Sequence, residues 1–197
     1  MSAAKQIDGY ILAGGKSSRM GTDKGLLKVN NRFLIEFAID HLRNCVDRIF
    51  LCTSNPEYTQ FGLELVPDKI REEGPASAIA TALQHAIAPK LFVLSCDTPF
   101  IGEVIIQRII SFSEGAEITV PLVKNRIEPL CGVYASSCKD KWKEQFDGGV
   151  RKMQTLIEHF NFKTLDGVSE IKADEMAFMN INSPEDFEIA KRERRWV

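Results

Sequence analysis

The strongest constraint on the fold of this chain is the rhythm of its apolar runs, strand-length segments separated by longer stretches with a helical period. Residues 9–13, 48–53, 63–66 and 91–95 read as strands, and the first and fourth are apolar on both faces, as buried strands of a parallel sheet are. Between them, 33–43 sets Leu34, Phe37, Ala38 and Leu42 on one helical face, and 76–86 does the same with Ile79, Leu83 and Ala86. A third helix is expected over 102–112, then a strand near 118–123. Strands alternating with helices make βαβ units, so the expectation is an α/β fold with a mostly parallel central sheet and helices on both faces. The stretch 127–135 has no helical period and suggests a later strand, a candidate to run antiparallel. Ser183-Pro-Glu-Asp has the marks of a helix start, with a capping hydroxyl, proline at the first position and acids in the first turn. Sheets of this kind bind ligands at the carboxyl ends of their strands.

With 197 residues the chain suits one domain, 1–197, and a core that buries roughly 70% of the unfolded surface without a disulfide or metal staple. Its 25 Lys and Arg against 27 Asp and Glu leave a net charge of -2, which gives no long-range field for nucleic acid or an anionic membrane. The apolar runs are too short for a transmembrane helix. The start, Met-Ser-Ala-Ala-Lys-Gln-Ile-Asp, is charged where a signal peptide is apolar. Five cysteines (45, 52, 96, 131, 138) without CxxC spacing fit reduced thiols, so a cytoplasmic location is expected. Cys96, His41, His85 and His159 lack any partner spaced to activate them or to complete a ligand set, and no catalytic role is assigned to them.

Immediately after the first strand stands Leu12-Ala-Gly-Gly-Lys-Ser-Ser-Arg-Met-Gly-Thr-Asp-Lys24. A Walker A loop would need glycine where Tyr10 stands, and GxGxxG fails after Gly14-Gly15. The loop still suits an anion. Gly14 and Gly15 let successive N–H groups converge, and Arg19 and Lys24 add full charges. A solvated turn explains the glycines but leaves the two cations without a reason. Asp97, in Ser95-Cys-Asp-Thr-Pro, follows an apolar strand and cannot be buried unpaired at low cost, so it faces the ligand crevice as a metal ligand or caps a helix starting at Thr98-Pro99. Asn180 and Asn182 alternate as they would on one side of a short strand.

The loop closely resembles the signature of the molybdenum cofactor guanylyltransferases, within the nucleotidyltransferases that share an LxGGxGxRM-like loop. The resemblance implies a Rossmann-like nucleotidyltransferase fold in which this loop, Gly15 included, holds GTP, with the backbone of Leu12, Ala13 and Gly14 near base and ribose. It makes Lys24 the phosphate lysine, Arg19 a second phosphate ligand and Asp97, in the family's CDxP-like motif, the Mg²⁺ ligand. Asn55 and Asp68 fall where relatives read the nucleotide, and a carboxylate can accept both N1–H and the amino group of guanine. Both also belong to common turn dipeptides, Asn-Pro and Pro-Asp. Asn180-Ile-Asn182-Ser-Pro resembles the family's NxNTP segment, from which both asparagines could reach the second substrate or the metal's water shell; an ordinary capped turn before the last helix is equally consistent with Asn182. Arg151 and Lys152 sit where relatives carry a basic segment that meets the pterin's phosphate; a solvated helix start is the plain alternative. Two departures stand out. Gly74-Pro-Ala-Ser-Ala-Ile replaces GPLAGI, and Glu128 stands where His is frequent.

The expected reaction is therefore transfer of GMP from GTP to molybdopterin or its molybdenum-loaded form, with release of pyrophosphate. The attacking phosphate is already anionic, so catalysis would be positioning and charge neutralisation by Arg19, Lys24 and Asp97 with Mg²⁺. Transient contact with proteins that donate or accept the cofactor is left open. Alternatives are a CTP-dependent molybdopterin cytidylyltransferase, where relatives carry LAAG, a sugar-phosphate nucleotidyltransferase, and a nucleotide-binding accessory protein without turnover.

Overall fold

In the computed structural model, which describes residues 6–13, 23–67, 74–166, 169–171, 173–193 and 196, the first apolar run is β1 (Ile7–Leu12), buried at every position. Its two faces serve two different cores. Ile7 and Ile11 pack toward the cluster that includes Ile35, Leu42, Ile106 and Ile109, whereas Tyr10 and Leu12 pack toward Ile79, Leu83, Trp142 and Leu156. That is the alternation of a strand covered on both sides.

The remaining strands are β2 (Lys28–Val29), β3 (Arg32–Phe33), β4 (Ile49–Cys52), β5 (Glu64–Val66), β6 (Lys90–Ser95), β7 (Ile118–Val123), β8 (Arg126–Ile127), β9 (Cys131–Ala135) and β10 (Phe162–Asp166). The helices are α1 (Leu34–Arg43), α2 (Pro75–His85), α3 (Glu103–Phe112), α4 (Lys139–Asp147), α5 (Met153–Glu158) and α6 (Pro184–Arg192). The main sheet runs β10-β7-β9-β6-β1-β4-β5, with β8 paired to β7, and β2 and β3 form a separate hairpin. β6, β1, β4 and β5 are mutually parallel, as are β7 and β10. β9 runs antiparallel to both of its neighbours, β6 and β7.

The expected α/β architecture is present, including the antiparallel strand. Two expectations are corrected. The run 127–135 is two strands, because a turn at 129–130 breaks it: Glu128 N–H donates to the Pro121 carbonyl at 2.9 Å, and Cys131 N–H to the Glu128 carbonyl at 3.2 Å. Asn180 and Asn182 lie on irregular backbone and not on a strand. Their segment is fixed by Ile181, fully buried with Val29, Leu34, Phe100 and Ala190. Such burial contributes roughly 1.5–3 kcal/mol. The Ile181 N–H also donates to the Asp97 carbonyl at 2.9 Å.

Candidate active site

β1 and β6 end side by side, Leu12 opposite Ser95, and two chain segments leave the sheet at that rim. The Cys96 N–H donates to the Leu12 carbonyl and the Ala13 N–H to the Cys52 carbonyl, both at 3.1 Å, which pins the exits of β1, β4 and β6 together. The side chains of Leu12 and Ala13 are buried.

Asp97 lies two residues past β6 in a turn that the Thr98 hydroxyl closes by donating to the Ser95 carbonyl at 2.9 Å. It does not cap a helix, since α3 begins beyond Gly102. Its carboxylate has two partners: the Ser95 hydroxyl donates to Oδ1 at 2.6 Å, and Lys24 Nζ donates to Oδ2 at 2.9 Å. The pair is only partly screened, with 21% of the Lys24 and 14% of the Asp97 side chain exposed. The same Lys24 ammonium donates to Asn182 Oδ1. Lys24, Asp97 and Asn182, which the sequence singles out separately, thus meet at one point.

Each is held by local structure. Lys24 opens a one-turn 3₁₀ helix (Lys24–Leu26) whose N-cap is Asp23. Asp23 Oδ1 accepts from the Gly25 N–H at 3.2 Å and from the Tyr58 hydroxyl at 2.6 Å. Burial drives the Tyr58 phenol far above its ordinary range, so it stays a donor. Asn182 is held from α6: its N–H and that of Ser183 both donate to Asp186 Oδ2 at 2.9 Å, while the Asp186 N–H donates back to Ser183 Oγ at 3.1 Å. Burial works against the Asp186 charge, but those donors and the nearby Lys24 outweigh it and hold the carboxyl below its ordinary value. This reciprocal capping box is the one Ser183-Pro-Glu-Asp announces.

Other predicted residues are placed differently. The Asn55 side chain caps the turn 56–61, accepting from the Glu57 N–H at 3.0 Å, and its Nδ2 donates to Asp23 Oδ2 at 3.3 Å. Its amide thus braces the Lys24 segment from below. Arg151 is exposed, donates to the Phe146 carbonyl at the end of α4, and stacks its guanidinium 3.9 Å from the Phe146 ring. Lys152, also exposed, precedes Met153. Asn180 Nδ2 donates to the Phe178 carbonyl at 3.4 Å. Gly14, Gly15, Arg19 and Asp68 lie outside the described residues.

Beside Asp97 opens a cleft of about 230 Å³. Its walls are largely apolar, with Pro129, Leu130, Met153 and Phe178 among them, and its polar lining comes from Thr98, Glu128 and Asn180. Cys131 also lines it, but burial raises that thiol far out of the nucleophilic range. The residues that sequence reasoning did not single out are Ser95, Asp23 and Tyr58. Asp23 and Ser95 each stood inside a quoted motif, the glycine loop and the Ser95-Cys-Asp-Thr-Pro stretch, whereas Tyr58 carried no signal.

As a metal centre the cluster is sparse: among the described residues no three His, Cys, Asp or Glu converge. Mg²⁺ binds through one or two carboxylates and otherwise through substrate phosphates and water, so a single carboxylate, Asp97, held by Ser95 and Lys24, fits that ion and suits zinc poorly.

Residues 9–163 match the MobA-like NTP transferase domain. A "probable molybdenum cofactor guanylyltransferase" of Clostridium perfringens is 33% identical over 190 residues, spanning 93% of this chain and 96% of that protein. The molybdenum cofactor guanylyltransferase of Shewanella pealeana is 32% identical over 92% of both chains. Among solved structures, the molybdopterin-guanine dinucleotide biosynthesis protein A of Archaeoglobus fulgidus superposes with a TM-score of 0.79, at 22% identity and over 93% of this chain and 96% of that one.

Proposed function

The chain belongs to the MobA-like NTP transferase family and is a nucleotidyltransferase, and from that premise we propose that it transfers GMP from GTP to molybdopterin or its molybdenum-loaded form. The terminal phosphate oxygen of the acceptor attacks the α-phosphorus of GTP. A new P–O bond forms, the bond from the α-phosphorus to the bridging oxygen breaks, and pyrophosphate leaves with the electron pair. The attacker is an anion at neutral pH, so the reaction requires no protein base.

The observation that carries this reading is the meeting of Lys24, Asp97 and Asn182 at the carboxyl end of β6, next to a cleft able to take a second substrate. Lys24 is poised between two partners. When triphosphate enters, the Lys24 ammonium exchanges the Asp97 oxygen for phosphate oxygens, and the freed Asp97 carboxylate is the residue that would hold Mg²⁺. The ion, when bound, lowers the repulsion between the two phosphate groups. Lys24 and, by family resemblance, Arg19 take charge from the departing pyrophosphate. Asn182 keeps the ammonium in place during the exchange, because Asp186 accepts from its backbone N–H and holds it. The family resemblance assigns the guanine to Asp68 and the backbone after β1.

Pyrophosphate release with Mg²⁺ and molybdopterin, measured separately with GTP and with CTP, tests the proposal. Release with GTP and not with CTP is expected, and Asp97→Ala should lower kcat by about 10²–10³, the usual cost of one electrostatic group in a transition state. Release with CTP instead would keep the chemistry and overturn the choice of base. Turnover of Asp97→Ala within a few-fold of wild type would remove the metal from Asp97.

A further inference from the structure

Among the described residues Glu128 is a carboxylate without a donor. It lines the cleft beside Asp97 and is half-buried, yet among the described residues no hydrogen bond or ion pair reaches its carboxyl group. The backbone gives it no escape. Its N–H is committed to the Pro121 carbonyl and its carbonyl to the Cys131 N–H, so the turn holds the residue at the cleft mouth. Burial raises its carboxyl above the ordinary value; Arg126 pulls the other way and the Asp97 charge pushes further up. A polar group placed like this costs stability unless something outside the protein completes its bonding. Stability costs of this kind concentrate where a ligand is bound.

The surroundings define that ligand. Pro129, Leu130, Met153 and Phe178 offer apolar surface for a flat ring, and the Asn180 side chain offers a second polar contact. An anionic group placed directly against the Glu128 carboxylate is disfavoured by its charge. A bare cation would find a mostly apolar wall and no third ligating side chain among the described residues. What remains is a planar heterocycle with two neighbouring N–H donors, which a carboxylate accepts in parallel. Building on the function proposed above, we propose that Glu128 binds the acceptor's pterin by its ring N–H and 2-amino group, with the ring lying against Pro129, Leu130 and Met153. The terminal phosphate of the acceptor then points toward Lys24 and Asp97.

Three measurements on the full chain decide this. Pterin itself, 2-amino-4-oxopteridine, is fluorescent and can be titrated into the protein without nucleotide. Wild type should bind it, Glu128→Gln should weaken binding about tenfold or more because the amide keeps one acceptor but turns a donor toward the second ring donor and loses the charge, and Glu128→Asp should recover part of the loss. In pyrophosphate release, Glu128→Gln should raise KM for molybdopterin by a larger factor than it lowers kcat, with KM for GTP and the Mg²⁺ dependence unmoved. The melting temperature of Glu128→Gln should equal or exceed that of wild type, since the uncompensated charge is gone. Equal pterin affinity for wild type and Glu128→Gln overturns the proposal, as does absence of pterin binding to wild type. A shift in Mg²⁺ dependence or in KM for GTP overturns it too, moving Glu128 to the metal or the nucleotide. The two readings fail separately. Pterin binding lost in Glu128→Gln without turnover on any nucleotide keeps this site and rejects the transferase reaction, while GTP turnover with unchanged pterin affinity does the reverse.

Discussion

At the scale of single residues, Lys24 draws together two positions 73 and 158 residues away, Asp97 and Asn182. The tightness of the support beneath it can be tested at Gly25. A Cβ there would stand 2.3 Å from the Tyr58 hydroxyl and 3.2 Å from the ring carbon that bears it. The hydroxyl cannot swing aside, because it is bonded to Asp23 and the ring is fully buried. Gly25→Ala should therefore cost about 1–3 kcal/mol in urea unfolding, as overpacking does. Adding Tyr58→Phe should recover part of that loss by deleting the closest atom. The glycine-loop motif singled out Lys24, and Asp97 announced itself as a carboxylate at a strand end. Neither signal revealed that the two charges pair directly. Asn55 was harder still: Asn-Pro reads as a turn, which it is, but besides the nearby Glu57 its amide donates to Asp23, 32 residues away, and no local pattern points there.

At the scale of elements, α6 is the clamp on Asn182. Ser183→Ala deletes one arm of the capping box and should cost about 0.5–2 kcal/mol. It should also lower pyrophosphate release, because Asp186 then orients the Asn182 backbone less firmly. Glu185→Ala, an exposed first-turn acid outside the box, should change neither quantity much, and comparison of melting curves and rates for the two variants checks this. The box was readable because its parts are three residues apart. The irregular path of 179–183 was not. Asn-Ile-Asn has the alternation of a strand, and only the burial of Ile181 and its bond to the Asp97 carbonyl, both set by distant parts of the chain, explain why no strand pairs there. α4 escapes notice for a different reason: Trp142 and Phe146 are its only buried positions and the rest is polar. β10 shows one buried residue, Leu165, as befits the edge of a sheet.

At the scale of the whole molecule, the parallel core was legible because strands covered on both faces are apolar over most of their length, as 9–12 of β1 and 91–94 of β6 are, while the one buried carboxylate of β1, Asp8, is paired with Arg48. Stability toward acid is a property of this packing as well. His41, near the end of α1, has its Nδ1 buried without a partner among the described residues. Burial lowers its pKa from the ordinary 6.5, outweighing the nearby Asp40, the Ile101 backbone and Glu103, while Arg32 adds to the lowering. The sign follows. Above about pH 6.5 both folded and unfolded chains carry a neutral imidazole; below it the unfolded chain takes up the proton first, and stability falls as pH falls. Urea midpoints between about pH 7 and about pH 5 should drop more steeply for wild type than for His41→Leu, which leaves only the slope due to carboxylates.

The reversed direction of β9 has a wider consequence. In a fully parallel sheet every strand would present its exit to the rim where Asp97 stands, and every loop there would be a strand exit. Because β9 runs the other way, the rim receives a strand entrance instead, and Glu128 arrives on a turn outside the β1, β4 and β6 exits. The two halves of the crevice are thus separately adjustable. Changing a few residues between β8 and β9 can alter what is received on one side while the seat of Lys24 and Asp97 on the other stays as it is, so a single scaffold can keep one donor and exchange acceptors.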